Sequence, residues 1–260
     1  MNRFPFSLVM GVSGAAGRRR LRLLLGVLLS AAGPVLAAPF IPADPNQVLE
    51  RLPLAAADPV VRELQGLRRQ LAGQPDDLEL ALQVARRNIE IGRAEADPRY
   101  YGYAQAALTP WWEQTSPPSE VLLLRAVLRQ NRHDFAGALT DLQQVLAVRP
   151  RHAQAWLTQA VIQQVQGEPA TALRSCLALR RLARSLLSNA CLSGALGRSG
   201  QAGFAYASLQ HALETPADAD IEARLYALTV LAEIAAQRGD APAAEQHFRA
   251  ALNLGRRSVY

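Results

Sequence analysis

Cys176 and Cys191 are the only cysteines of this 260-residue chain, and fifteen positions separate them. Two thiols at that spacing can close a disulfide, but with no matching His pair they do not make a zinc site, which needs four N or S ligands. Helical patterning puts Cys176 on one helix and Cys191 on the next, with the turn near Arg184, Ser185 and Leu186. In antiparallel neighbours, residues equidistant from the turn lie at the same height, and these two nearly do. A bond would close a loop of about 16 residues and contribute about 3 kcal/mol in the chain-entropy model. The other reading is two small buried thiols packed apart.

The remaining reactive side chains offer less. His133, His152, His211 and His247 are the only histidines, and none stands four residues from another or in a set with Asp or Glu, so no metal is expected. There is no Gly-Lys-Ser/Thr, because Lys is absent, and no Gly-x-Ser-x-Gly elbow. Catalytic residues, cofactor and metal are therefore all expected to be none, and the chain is not expected to be an enzyme. Trp111 and Trp112 follow Pro110 as a conspicuous aromatic pair, with Tyr100, Tyr101 and Tyr103 just before them. Such a cluster can anchor a partner or cover the next hairpin, and packing is the favoured reading.

The elements that carry these residues follow a repeat. Small residues recur twelve positions apart at Ala126 and Ala138, Ala160 and Ala172, Ser193 and Ala205, and Ala232 and Ala244. The first members of these couples are 34, 33 and 39 residues apart. A period near 34 that joins two amphipathic helical patterns indicates stacked helix pairs. The pairs are expected at 120–130 with 134–148, 153–166 with 169–184, 186–196 with 201–214, and 220–238 with 241–254. Gly167, Gly200 and Gly239 fall at one place in the repeat, where a helix end calls for positive φ. Upstream, helices at 75–91 and 97–108 form a stretched pair in which Ala85 and Ala104 are 19 apart, and the second helix stops before Pro110. Residues 38–60 hold five prolines and read as an extended lead-in, with short helices at 46–51 and 59–71. No strand alternation is present.

The repeat resembles the tetratricopeptide repeat (TPR) family. Trp156 and Ala160 match that family's first helix, although Gln159 and Gln163 replace its Leu and Tyr; Ala244 with Phe248 keeps the spacing of the second, and Pro150 and Pro216 fall at the closing Pro. The resemblance covers about residues 76–254 and implies an all-α, right-handed solenoid of antiparallel helix pairs, with about five hairpins. With the residues upstream, the chain is expected to divide into a signal peptide (1–37), a Pro-rich lead-in (38–75), a divergent hairpin (76–116) and repeats at 119–152, 153–185, 186–218 and 219–260. In this family first helices line a concave groove that takes peptides or partner helices. By register the groove would hold Leu123, Val127, Gln130 and Asn131, then Leu157, Val161 and Gln164, then Ala190, Gly194 and Arg198, then Thr229 and Glu233. The clamp with which some members grip a C-terminal carboxylate uses Lys, Asn and Arg, and is unsupported here. A neutral groove of apolar residues and Gln is expected.

Charge and the leader set the compartment. All 28 basic residues are Arg, an Ala-, Leu- and Arg-heavy bias expected of GC-rich coding. Of the net charge of +6, +5 lies in the first 37 residues, which hold Arg3, Arg18, Arg19, Arg20 and Arg22 and no acid. The remainder is nearly neutral, which argues against a nucleic-acid partner. A basic start, an apolar run at 21–29 and the small residues Val35 and Ala37 have the order of a secretory signal peptide cleaved after Ala37. Left uncleaved, the same leader would hold the chain at a membrane. The stretch before Arg18 also allows translation to begin after Met1. The expectation is a periplasmic or secreted scaffold that binds another protein of the bacterial cell envelope. The alternative is a structural accessory subunit of a secretion, pilus or outer-membrane complex.

Overall fold

The computed structural model describes residues 42, 44, 47, 59–214 and 220–254. The expected leader and its cleavage point lie outside these residues, as does the helix expected at 46–51 apart from Gln47. The chain divides into two units, Met1–Pro53 and Leu54–Tyr260, and the described helices all belong to the second. They are α1 (Pro59–Gly73), α2 (Leu78–Glu95), α3 (Arg99–Ala107), α4 (Thr109–Trp112), α5 (Ser119–Asn131), α6 (Phe135–Val148), α7 (Ala153–Val165), α8 (Pro169–Leu182), α9 (Leu186–Leu196), α10 (Ala202–Glu214), α11 (Ile221–Gln237) and α12 (Ala241–Leu252). Among the described residues there is no strand.

Most of the long helices begin where a side chain can satisfy the orphan N–H groups of the first turn. Asp77, Asp134, Asp220 and Asp240 cap α2, α6, α11 and α12 by accepting from the third helical N–H. His152 does the same for α7 through Nδ1, and Ser185 and Ser188 form a reciprocal capping box at α9. The turns inside the pairs share one backbone solution: Gly167, Gly200 and Gly239 have φ of 74°, 84° and 78°. His133 stands at the matching position of the first regular pair and takes φ 60°, its ring meeting Phe135 edge-on at 5.5 Å. The helix α3 ends at Ala107, before Pro110 as expected, and one element is additional to the sequence reading: the single turn α4 starts at Thr109 and accepts Pro110 in its first turn, where the missing N–H leaves no bond unsatisfied. The α9–α10 connection, Gly197–Gln201, kinks at Ser199 (φ −93°, ψ 16°) and Gly200 (φ 84°, ψ 6°), which is the Gly turn expected there.

Packing follows the twelve-residue interval. Ala126, Ala138, Ala160, Ala172, Ala205 and Ala232 are fully buried, and Ser193 and Ala244 nearly so. Ala85 and Ala104 of the stretched pair are fully buried too. A methyl group is what the helix crossing has room for at these points. The helices α5–α6, α7–α8, α9–α10 and α11–α12 pack as antiparallel pairs, and each second helix also packs on the next first helix. The first helices α2, α5, α7, α9 and α11 touch in succession, so they form an unbroken row. The core is correspondingly divided into clusters. One joins α2 through α5 around Trp112, one joins α5 to α7, one joins α7 to α9, and one joins α9 to α11. This is a right-handed solenoid of helix pairs, in which each pair is stabilised by its neighbours.

Candidate protein-binding surface

The first-helix row places the groove residues as follows. Leu123, Gln130, Leu157, Val161 and Thr229 are half-buried, whereas Asn131, Arg198 and Glu233 are exposed. Val127 is only 5% exposed and belongs to the cluster around Trp112, so it supports the row from beneath. Ala190 and Gly194 are buried, and Gln164 is 9% exposed. Gln164 Oε1 lies where a Cβ on Gly194 would be only 2.7 Å away, so the glycine makes room for this side chain between α7 and α9. Gln164 Nε2 is buried and has no hydrogen-bond partner among the described residues. Arg198 Nη2 and Glu233 Oε2 pair at 2.9 Å, joining the α9 end to α11 at the C-terminal end of the row. Asn131 Nδ2 donates to the Val127 carbonyl at 2.9 Å, and Thr229 Oγ1 to the Leu225 carbonyl at 2.9 Å.

The two departures from the family pattern have a local explanation. Gln159 Nε2 donates to Ser175 Oγ at 3.0 Å, and Ser175 Oγ donates to Gln163 Oε1 at 2.8 Å. Polar side chains thus replace the Leu and Tyr because α8 presents a buried serine to them. Beside Ser175, Cys176 is joined to Cys191 of the next pair by a disulfide with Cα atoms 5.6 Å apart, both side chains fully buried. The bond connects α8 to α9 and lies within the cluster that also holds Ala160 and Leu179.

Around the aromatic pair, Trp112 is 8% exposed, and Trp111, half-buried, packs on the same cluster. Arg132 stacks on the Trp112 ring at 5.6 Å, and Arg68 on the half-exposed Tyr103 at 4.3 Å. The backbone carbonyl of Trp112 accepts from Arg125 Nη1. Arg125 also grips Asp141 with two bonds, at 2.9 and 2.8 Å, and Arg129 adds a third at 2.8 Å. This buried network escapes the sequence reading. Its trace is an arginine set among Leu122, Leu124, Ala126 and Leu128 on a helix, with an aspartate just after the facing Ala138.

The histidines are dispersed. His152 caps α7, and His247 Nε2 lies 2.7 Å from the Tyr206 hydroxyl, bridging α12 to α10. Burial lowers the pKa of both rings, assisted at His152 by Arg149. Among the described residues no three His, Cys, Asp or Glu side chains converge as metal ligands, and no helix is long and apolar enough to cross a membrane.

No protein-family model matches the chain, and no curated protein matches it. Solved structures do. TTC0263, described as a thermophilic TPR protein of Thermus thermophilus, aligns at 19% identity over 82% of this chain and 98% of that one, with a TM-score of 0.52. The Cut9-Hcn1 hetero-tetramer structure of the APC/C aligns at 17% identity over 75% of this chain and 35% of that one, with a TM-score of 0.53. MamA from Desulfovibrio magneticus RS-1 aligns at 19% identity over 69% and 96%, with a TM-score of 0.44. The stacked pairs and the alignment to TTC0263 together give the chain a TPR-like solenoid fold.

Proposed function

We infer that this chain is an exported scaffold that binds another protein of the bacterial cell envelope along its first-helix row. The observation that carries this reading is the row itself: α5, α7, α9 and α11 in unbroken contact, presenting Leu123, Gln130, Leu157 and Val161. The named groove residues carry no charge apart from Arg198 and Glu233, which pair with each other. Solenoid folds act through extended surfaces of this kind, and the basic, apolar, small-residue order of the leader supports export.

Crosslinking and affinity capture of the chain from its own envelope, followed by mass spectrometry, would identify the partner. Alanine at Gln130, Leu157 and Gln164 together is expected to weaken its binding about tenfold or more, which corresponds to about 1.4 kcal/mol. Unchanged affinity in a folded triple variant would show that the groove is elsewhere.

A second reading has its own observation. Leu177, Phe204 and Phe248 are exposed at 39%, 66% and 43%, and they stand on the second helices α8, α10 and α12. An apolar face of second helices suits a subunit held permanently in an envelope complex. A monodisperse monomer in solution would count against that alternative.

A further inference from the structure

We propose that the cleft between α8, α9 and α10 binds a small oxyanion, a phosphoryl group carried either by a free phosphate compound or by a lipid head group. The cleft is open to solvent, with a volume of about 340 Å³; its polar lining is Arg180, Arg184, Ser185, Asn189, Ser208 and His211, all exposed except the half-buried Asn189, over Leu186 and Ala212. Arg180 stands in the last turn of α8, and Arg184 in the loop that leads to α9. Ser208 and His211 are one turn apart on α10. The site is built from the second helices α8 and α10 and the N-terminal part of the first helix α9.

The lining is unbalanced in charge. It includes no carboxylate, and neither Arg180 nor Arg184 has an ion pair or hydrogen bond among the described residues. Arg125, Arg129, Arg198 and Arg249 each hold a carboxylate, whereas Arg151 and Arg224 are unpaired among the described residues as well but stand outside the cleft. Each guanidinium presents five donors in a planar fork that matches oxyanion geometry. Two of them at one cleft repel each other until an anion accepts from both, and a phosphoryl dianion matches their combined charge. The Asn189 amide and the Ser208 hydroxyl supply neutral donors beside them.

The α9 N-terminus contributes little to this. Its Ser188 N–H is already taken by Ser185 Oγ, and Ser188 Oγ accepts from the Ser185 N–H, so the site rests on side chains from three elements. Two of its three walls are tied covalently. Arg180 follows Cys176 by one helical turn and Asn189 precedes Cys191 by two residues, so the disulfide holds α8 and α9 at the separation the cleft needs. A rigid site loses less freedom when it binds.

The test titrates the oxidised protein with inorganic phosphate and with pyrophosphate at constant ionic strength, followed by calorimetry. A parallel arm measures cosedimentation with phosphatidic acid vesicles against phosphatidylcholine vesicles. Saturable binding in either arm is expected, weakened about tenfold or more in Arg180→Ala/Arg184→Ala and unchanged in Arg151→Ala/Arg224→Ala, two exposed arginines outside the cleft. Binding of the soluble anions assigns a free phosphate compound, and binding of the vesicles alone assigns a lipid head group. Circular dichroism confirms that both double variants keep the fold. The proposal is overturned if neither arm shows saturable binding up to about 10 mM, or if the two double variants bind equally well.

Discussion

Asp141 is 1% exposed and accepts three hydrogen bonds from Arg125 and Arg129. Replacing both ions of such a cluster by apolar groups can be neutral, but removing one leaves the other charged, buried and unpaired. Asp141→Ala is therefore expected to destabilise the chain by about 3–5 kcal/mol in urea unfolding. His152 tests protonation. Its Nδ1 accepts the Ala155 N–H, and its pKa in the folded chain is lowered, so the folded state takes up the proton less readily than the unfolded one. The stability due to the neutral ring is complete above the ordinary value of about 6.5 and is lost as pH falls through the lowered folded value. The urea midpoint should decline between about pH 7 and pH 5.5, with part of that decline absent from His152→Asn. His247→Gln should remove a further part, because the burial of that ring has the same sign. The Arg125–Asp141 pair is hard to read in the sequence because nothing in a one-dimensional pattern marks which charged residue lies on a face that neighbouring helices will cover. The cysteines are easier: equal distance from a turn is a geometric fact about antiparallel helices.

The helices themselves are legible wherever caps and breakers agree with apolar period, as at Asp134, Ser185 and Asp240. The one-turn α4 is not legible, because it is set by how its flanking helices meet. Of the groove, the register can be read but not the depth. Val127 and Leu123 are both apolar residues of α5, yet only packing against Trp112 decides which of them is covered. The disulfide is the covalent link at this scale. It spans 15 residues and joins α8 to α9, where non-covalent packing is a modest cluster of Ala160, Ala172, Leu179, Leu192 and Ala195. Loss of the bond in Cys176→Ser/Cys191→Ser is expected to lower stability by about 3 kcal/mol. A thermal melt with and without reductant would give the same comparison on the unmodified chain.

Across the whole molecule, the core is a series of clusters rather than one centre, and each pair depends on its neighbours. Repeat periodicity carries the fold class because the small-residue interval is a direct record of where helices cross. It carries no record of a ligand, since surfaces of one solenoid differ only in side chains that no packing rule constrains. The staple between α8 and α9 matters for a further reason when such an array is pulled from its ends. Under tension the helix pairs on either side can unravel, but the residues between Cys176 and Cys191 cannot lengthen the thread while the bond holds. At about 3.4 Å per extended residue, that keeps about 50 Å of contour length out of reach of the force. An oxidised chain stretched between two anchored partners would therefore stay shorter than a reduced one.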